Sequence, residues 1–331
     1  MEFLLNVGEF TLKAAIIVVA VVVVVGAIAN AAQRQRKQKG ELHVERLSDD
    51  LRDTANDLKL ELLDRGERKK AEKALKKQRK RMAKEEAKPR LFVLDFNGSM
   101  DAKEVDQLRR EVNAVVAVAE KGDKVMVRLE SGGGVVHGYG LGAAQLQRLR
   151  DAELELIVSV DKIAASGGYM MACVANSIQA APFAIIGSIG VLAQLPNFHR
   201  WLKKHDVDFE QVTAGEYKRT LTLFGRNTDE GRQKFKEEIE NIHEQFKAHV
   251  QKYRPDMDID KVATGEYWTA QQALELGLVD SLTTSDAWLV ERTKDHAIFG
   301  VRYTSKKPLG ERIGRNMNAV LSSLREFISK S

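Results

Sequence analysis

The chain has 331 residues, 44% of them hydrophobic, which is enough for one large or two small folded units. Its single cysteine, Cys173, excludes an intramolecular disulfide, and its seven histidines form no cluster at ligand spacing that would suggest a structural metal. The net charge of +5 is small but distributed in blocks, so its placement says more than its total.

Ala14 to Ala29 is unbroken apolar sequence, AAIIVVAVVVVVGAIA, extended by Phe10 to Leu12 and by Ala31 and Ala32. About 20 apolar residues span a bilayer, so residues 1–33 are expected to form a single-pass membrane anchor. Inside lipid every backbone group must be satisfied within the segment, so even this β-branched run is expected to be helical. Glu2 and Glu9 precede the run with no early positive charge, against the pattern of a cleaved signal peptide. Arg34, Arg36, Lys37 and Lys39 follow at once, and by the positive-inside rule they favour a cytoplasmic catalytic domain.

Residues 34–90 read as a charged, helical connector. Glu41 to Asp64 is acidic with interspersed leucines, and Arg68 to Lys88 is strongly basic. No aromatics interleave with the basic run, as a nucleic-acid surface would want, so a solvated helix touching anionic lipid is the better reading. Pro89 marks the boundary to a folded domain, residues 91–306.

Within that domain strand and helix signals alternate. Leu91–Phe96, Lys124–Glu130 and Leu154–Val160 read as buried strands, and residues 99–120 and 138–150 as helices. Such alternation predicts a mostly parallel sheet with helical layers. Further on, residues 198–204 read as a short helix, 206–212 as strand-like, 228–253 as a long helix, and 269–276 as a helix ended by Gly277. Residues 307–331 read as a C-terminal amphipathic helix.

Three glycine-rich corners interrupt this pattern: SGGG at Ser131–Gly134, ASGG at Ala165–Gly168, and GSIG at Gly187–Gly190. A small-residue corner between a strand and a helix exposes a side chain to substrate, which makes Ser166 a candidate nucleophile. A serine hydroxyl needs a base at neutral pH. His137 is the nearest histidine in sequence, but no acid partner is evident for it. A lysine that loses its charge in an apolar slot is the alternative, and Lys218 and Lys162 are candidates. Ser166 as a plain helix cap is the bland reading of the corner. Cys173 lies beyond it and reads as core, and Asp280 as the end of a structural turn.

LESGGGVVHGYG (Leu129–Gly140), DKIAASGGYMMACVA (Asp161–Ala175), GSIGV (Gly187–Val191), AGEYKRTLTLFG (Ala214–Gly225) and WTAQQALELGLVD (Trp268–Asp280) form an ordered set. In this set the chain resembles the signal peptide peptidase A and SohB family of serine peptidases, over about residues 91–286. The resemblance implies a ClpP/crotonase-like α/β fold and a Ser-Lys dyad with no cofactor or metal. It casts Ser166 as nucleophile, Lys218 as general base and Ser188 as the accessory serine that hydrogen-bonds the lysine. Backbone N–H groups of Gly133 and Gly167 are implied as the oxyanion hole, with Gly134 the alternative to Gly133. It also implies a bacterial inner membrane location, although the family's domain is usually placed outside the cytoplasm, opposite to the charge reading. Expected partners are a peptide or unfolded protein substrate, the lipid bilayer, and further copies of the chain enclosing the sites. A crotonase-like acyl-thioester enzyme and a silent membrane scaffold are the competing classes. Residues 164–171 and 185–192 contain no charged side chain, so apolar or small residues are expected at the cleavage point.

Overall fold

The computed structural model describes residues 40–82 and 88–304. The expected anchor (1–33) and C-terminal helix (307–331) lie outside the described residues. Among the described residues no helix is long and apolar enough to cross a membrane. Residues 42–303 form one compact unit. A second unit, residues 1–41 and 304–331, is described only at Gly40, Glu41 and Thr304.

The elements, in chain order, are β1 (Glu41–Glu45), α1 (Leu47–Glu61), α2 (Arg65–Met82), β2 (Arg90–Asn97), α3 (Val105–Val118), β3 (Lys124–Glu130), α4 (Val136–Asp151), β4 (Glu155–Val160), β5 (Ile163–Ala165), α5 (Gly167–Ala172), β6 (Ser177–Ala180), β7 (Ile185–Gly187), α6 (His199–Lys204), α7 (Asp229–Tyr253), α8 (Ile259–Val262), β8 (Tyr267–Thr269), α9 (Ala270–Glu275), β9 (Ser281–Leu282), α10 (Ser285–Arg292) and β10 (Ala297–Thr304). Seven strands form the main sheet in the order β1-β10-β2-β3-β4-β6-β9. From β10 to β9 every pairing is parallel, as the alternation predicts.

Successive side chains of a strand point to opposite faces, so a strand buried on both sides is apolar throughout. β2 and β3 behave this way. Phe92, Leu94, Phe96, Val125, Val127 and Leu129 join one core, with α3, α4 and α5 packed over them. Leu91, Val93 and Met126 join the other, covered by Leu289 of α10 and by Leu47 and Leu51 of α1. The first part of the charged segment forms β1 and α1, and from Leu42 to Glu61 it belongs to the folded unit.

A second, three-stranded sheet carries the glycine corners. β5 pairs parallel with β7, and β7 antiparallel with β8. The long helix expected at 228–253 is α7, started by Thr228, whose hydroxyl accepts the Gly231 N–H at 3.0 Å. α9 starts at a capping box of Thr269 and Gln272. One expectation is corrected: residues 206–212 form no strand. Their apolar side chains, Val207, Phe209 and Val212, are exposed, and no strand beside them offers a ladder.

Candidate active site

β5 and β7 run in parallel, with Ala165 opposite Gly187. Ser166 and Ser188 therefore follow directly from neighbouring strand ends, and the Ser166 N–H donates to the Gly187 carbonyl at 2.8 Å. Both serines have positive φ, 51° at Ser166 and 50° at Ser188. For a non-glycine residue that conformation costs about 1–3 kcal/mol and survives only where the surroundings enforce it. At Ser166 it turns the chain sharply from β5 into α5. The hydroxyl makes no capping bond to the helix, which removes the plain-cap reading. The side chain is half-buried.

The surroundings are glycines packed past van der Waals tolerance for any larger residue. A Cβ on Gly133 (φ +89°) would lie 2.7 Å from both Ser166 Cβ and the Gly167 nitrogen. A Cβ on Gly168 would lie 2.5 Å from the Ser131 carbonyl oxygen. Ser131 itself is locked to β5: its N–H donates to Ile163 at 2.9 Å, and its carbonyl accepts from Ala165 at 3.0 Å. The SGGG turn is thereby held against the Ser166 corner.

The N–H of Gly167 has no hydrogen-bond partner among the described residues, as an oxyanion donor requires. The N–H of Gly133 donates to the Ser131 hydroxyl at 3.1 Å. Among the described residues the N–H groups of Gly132 and Gly134 are the unpartnered amides of the turn.

The base candidates separate cleanly. His137 is exposed on α4 and makes no hydrogen bond to Ser166. Lys162 is paired with Glu130 at 3.0 and 3.2 Å. Lys218 lies in the exposed, irregular stretch 205–228, its N–H donating to Gly215 at 3.2 Å. Among the described residues its ammonium makes no hydrogen bond or ion pair. The structure therefore brings Ser166, Ser188, Gly133 and Gly167 together and, among the described residues, shows no hydrogen bond from Lys218 to any of them.

Cys173 is fully buried, and burial pushes its thiol far up, so no thiolate forms; Sγ contacts the Met170 carbonyl at 3.3 Å. Asp280 is structural: it accepts the Ile178 N–H at 2.7 Å and pairs with Arg254 at 2.6 Å. Two histidines not singled out from the sequence back the corner from α7. His243 Nε2 donates to the Ile189 carbonyl at 3.2 Å, and His249 Nε2 to the Met170 carbonyl at 2.9 Å. Six residues apart on α7, they lie about 120° apart around the helix, so no helical-face pattern singles them out in the sequence. Tyr139 and Ser131 were also passed over, although both sit inside the SGGG motif region.

Comparison with known proteins places these corners in a family. Residues 2–146 match the peptidase family S49 N-terminal model, and residues 148–298 match the peptidase family S49 model. A relative called "Probable protease SohB" in Haemophilus influenzae is 46% identical over 327 residues, covering 95% of this chain and 93% of its own. Another of that name, in Buchnera aphidicola subsp. Schlechtendalia chinensis, is 46% identical over 305 residues, covering 88% of this chain and all of its own. Among solved structures, a variant of the 1510-N membrane-bound stomatin-specific protease in complex with a substrate peptide covers 62% of this chain and 80% of its own, at 16% identity and a TM-score of 0.41. With both halves matched by the family's models and SohB relatives aligned along nearly its whole length, the chain belongs to peptidase family S49.

Proposed function

We propose that this peptidase is a membrane-anchored serine endopeptidase using a Ser166–Lys218 dyad. The observation that carries the reading is Ser166 itself, strained at φ 51° on a strand-to-helix corner, with the unpartnered N–H of Gly167 beside it. Ser166 Oγ attacks the scissile carbonyl, and the negative charge that grows on its oxygen is met by Gly167 N–H and by an amide of the Gly133–Gly134 turn. Lys218 takes the serine proton and returns one to the leaving amine. Ser188, one strand over, orients the lysine. In this reading the exposed stretch around Lys218 must close over the corner when substrate binds or when copies of the chain assemble around the sites.

The substrate is an extended polypeptide, short or unfolded, because only such a chain can lie along strand edges beside the nucleophile. Apolar or small residues at the cleavage point fit a corner free of charged side chains, and the apolar run at residues 14–29 would hold the enzyme near signal-peptide remnants and misfolded membrane proteins. The side on which the domain lies follows from Arg34, Arg36, Lys37 and Lys39 and is proposed as cytoplasmic. Protease digestion of sealed spheroplasts tests this, and loss of the catalytic domain from the periplasmic side overturns it. A serine-directed phosphonate that labels wild-type protein but not Ser166→Ala, together with peptide-library cleavage by the detergent-solubilised protein, tests the chemistry. Unchanged cleavage by Ser166→Ala would defeat it.

A further inference from the structure

One buried side chain touches both sources of the proposed oxyanion donors. Tyr139, on the first turns of α4, is fully buried. Its hydroxyl donates to the Ser99 carbonyl at 2.8 Å and lies 2.5 Å from the Ser131 hydroxyl. With the single phenolic proton on the Ser99 carbonyl, the Ser131 proton fills the short contact in preference to the Gly98 carbonyl, which the same hydroxyl reaches at the longer distance of 3.3 Å. Ser131 Oγ in turn accepts the Gly133 N–H at 3.1 Å. The protons therefore run one way: Gly133 N–H to Ser131, Ser131 O–H to Tyr139, Tyr139 O–H to the Ser99 carbonyl. The far end is anchored too, since Glu104 accepts from both the N–H and the hydroxyl of Ser99, at 2.9 and 2.8 Å. Burial raises the phenol above its ordinary range, which keeps Tyr139 a donor at working pH.

The ring of the same tyrosine supports the other donor. A Cβ on Gly167 would lie 2.4 Å from Tyr139 Cγ, so the aromatic face is the floor on which Gly167 rests. Space for the hydroxyl pair is provided by Gly98, where a Cβ would come within 2.6 Å of the Tyr139 oxygen and 2.8 Å of the Ser131 oxygen. Residues that merely filled a core would not need a glycine opposite two hydroxyls, nor a one-way chain ending on the turn beside the nucleophile.

We propose that Tyr139, acting through Ser131, is the positioning residue of the oxyanion site. Its hydroxyl fixes the conformation of the Gly132–Gly134 turn, and its ring fixes the amide of Gly167. With the Gly133 N–H committed to Ser131, the amides the turn presents to substrate are those of Gly132 and Gly134. Neither Tyr139 nor Ser131 touches the reacting atoms. The assignment rests on the serine-peptidase reading above.

The test uses the full chain in detergent and a fluorogenic peptide with alanine and leucine around the cleavage point. Displacing preformed donors by a fraction of an ångström to an ångström weakens transition-state binding by roughly 10- to 100-fold. Tyr139→Phe keeps the ring and should lower kcat by that factor with KM within about twofold. Ser131→Ala should do the same, and the double variant should be no worse than the weaker single, because both break one chain. A peptide aldehyde, whose adduct with serine carries the tetrahedral oxygen, should lose affinity in step with kcat/KM. Affinity for uncleaved peptide, measured in a Ser166→Ala background, should not change. A kcat of Tyr139→Phe equal to wild type, or losses in aldehyde and ground-state peptide binding of the same size, would overturn the assignment while leaving a Ser166-dependent peptidase intact. Turnover that persists in Ser166→Ala would overturn the serine-peptidase reading and this assignment with it.

Discussion

The two halves of the proposed dyad sit in contrasting physical settings. The Ser166 corner is determined many times over. Gly133, Gly168 and Gly187 admit no larger side chain, Ser131 is bonded into β5, and Tyr169 donates to the Leu278 carbonyl from full burial at 2.9 Å. The Lys218 half lies in the stretch 191–228, which has almost no buried side chain. It is held by a few bonds, such as Phe198 N–H to Leu223 at 2.7 Å and Asn197 to the Thr222 and Gly225 carbonyls, at 2.9 and 3.1 Å. Phe198 and Phe224 stack at 6.0 Å around an open apolar hollow that Trp201 and Leu202 also line. The contrast shows where strain can be stored. A φ of 51° at Ser166 can be enforced only from a packed corner, whereas the proposed base lies in a stretch whose opening costs little.

The sharpest way to break the comparison is to remove each half in turn. Ser166→Ala should abolish turnover, and Lys218→Ala should lower kcat on the order of 10⁴-fold or more, with both proteins unfolding at the wild-type temperature. Steady-state cleavage beside thermal unfolding checks both. Full activity in Lys218→Ala would assign the base elsewhere and make the exposed stretch a bystander.

Gly133 comes next. Gly133→Ala would force a methyl to 2.7 Å from both Ser166 Cβ and the Gly167 nitrogen, at φ +89°. We expect a loss of about 10²- to 10³-fold in kcat, the scale of a lost oxyanion donor, accompanied by a lower Tm. The joint loss matters, because a larger residue here presses on the Ser166 corner as well as on the Gly167 amide. Activity loss with an unchanged Tm would instead mean that the corner yields more easily than its contacts imply. Assays of kcat and Tm on one preparation decide between them.

Much of the ordered half was legible in the sequence, and little of the exposed half was. Runs such as LFVLDF and ELIVSV announce strands buried on two faces, because apolar residues occur at both parities. SGGG, ASGG and GSIG announce corners, because only small residues permit such close approach. Local pattern could not reveal that β5 and β7 align Ala165 with Gly187 and so set Ser166 beside Ser188; that is long-range register. The same limit hid Tyr139, whose role depends on partners at residues 99, 131 and 167, and it hid the clamp of α7 onto the Ile189 and Met170 carbonyls. In residues 206–212 the β-rich composition misled, because strand propensity needs a neighbouring strand to be realised. Lys218 was reached through motif resemblance alone, since nothing in its charge or spacing sets it apart from other lysines of the chain.

Stability variants sharpen the contrast at a smaller scale. Tyr169→Phe leaves the buried Leu278 carbonyl without its donor, at a cost of about 1–2 kcal/mol, or roughly 2–6 °C in Tm for a unit of this size. Trp201→Ser, on the exposed hollow, should fall within about 0.5 kcal/mol of wild type, or roughly 2 °C. Equal Tm losses in the two variants would show that the exposed stretch is as strongly held as the corner.

The smallest expected effect concerns acid. His249 Nε2 must carry a proton to donate to the Met170 carbonyl, and burial lowers the imidazole below its ordinary value of 6.5, with Lys252 adding to the shift and the Met170 bond opposing it. A lowered base binds fewer protons folded than unfolded, so between the two values the unfolded chain gains protons and stability falls with falling pH. The loss should begin near the ordinary imidazole range and end once pH passes the folded value. Because the partner carbonyl belongs to α5, the helix that follows Ser166, this acid softening acts on the ordered half. His249→Gln keeps a donor for Met170 and removes the titration. Denaturant midpoints at pH 7.5 and 5.5 should therefore drop further in wild type than in His249→Gln. Identical drops would show that α7 contributes no pH-dependent hold on the corner.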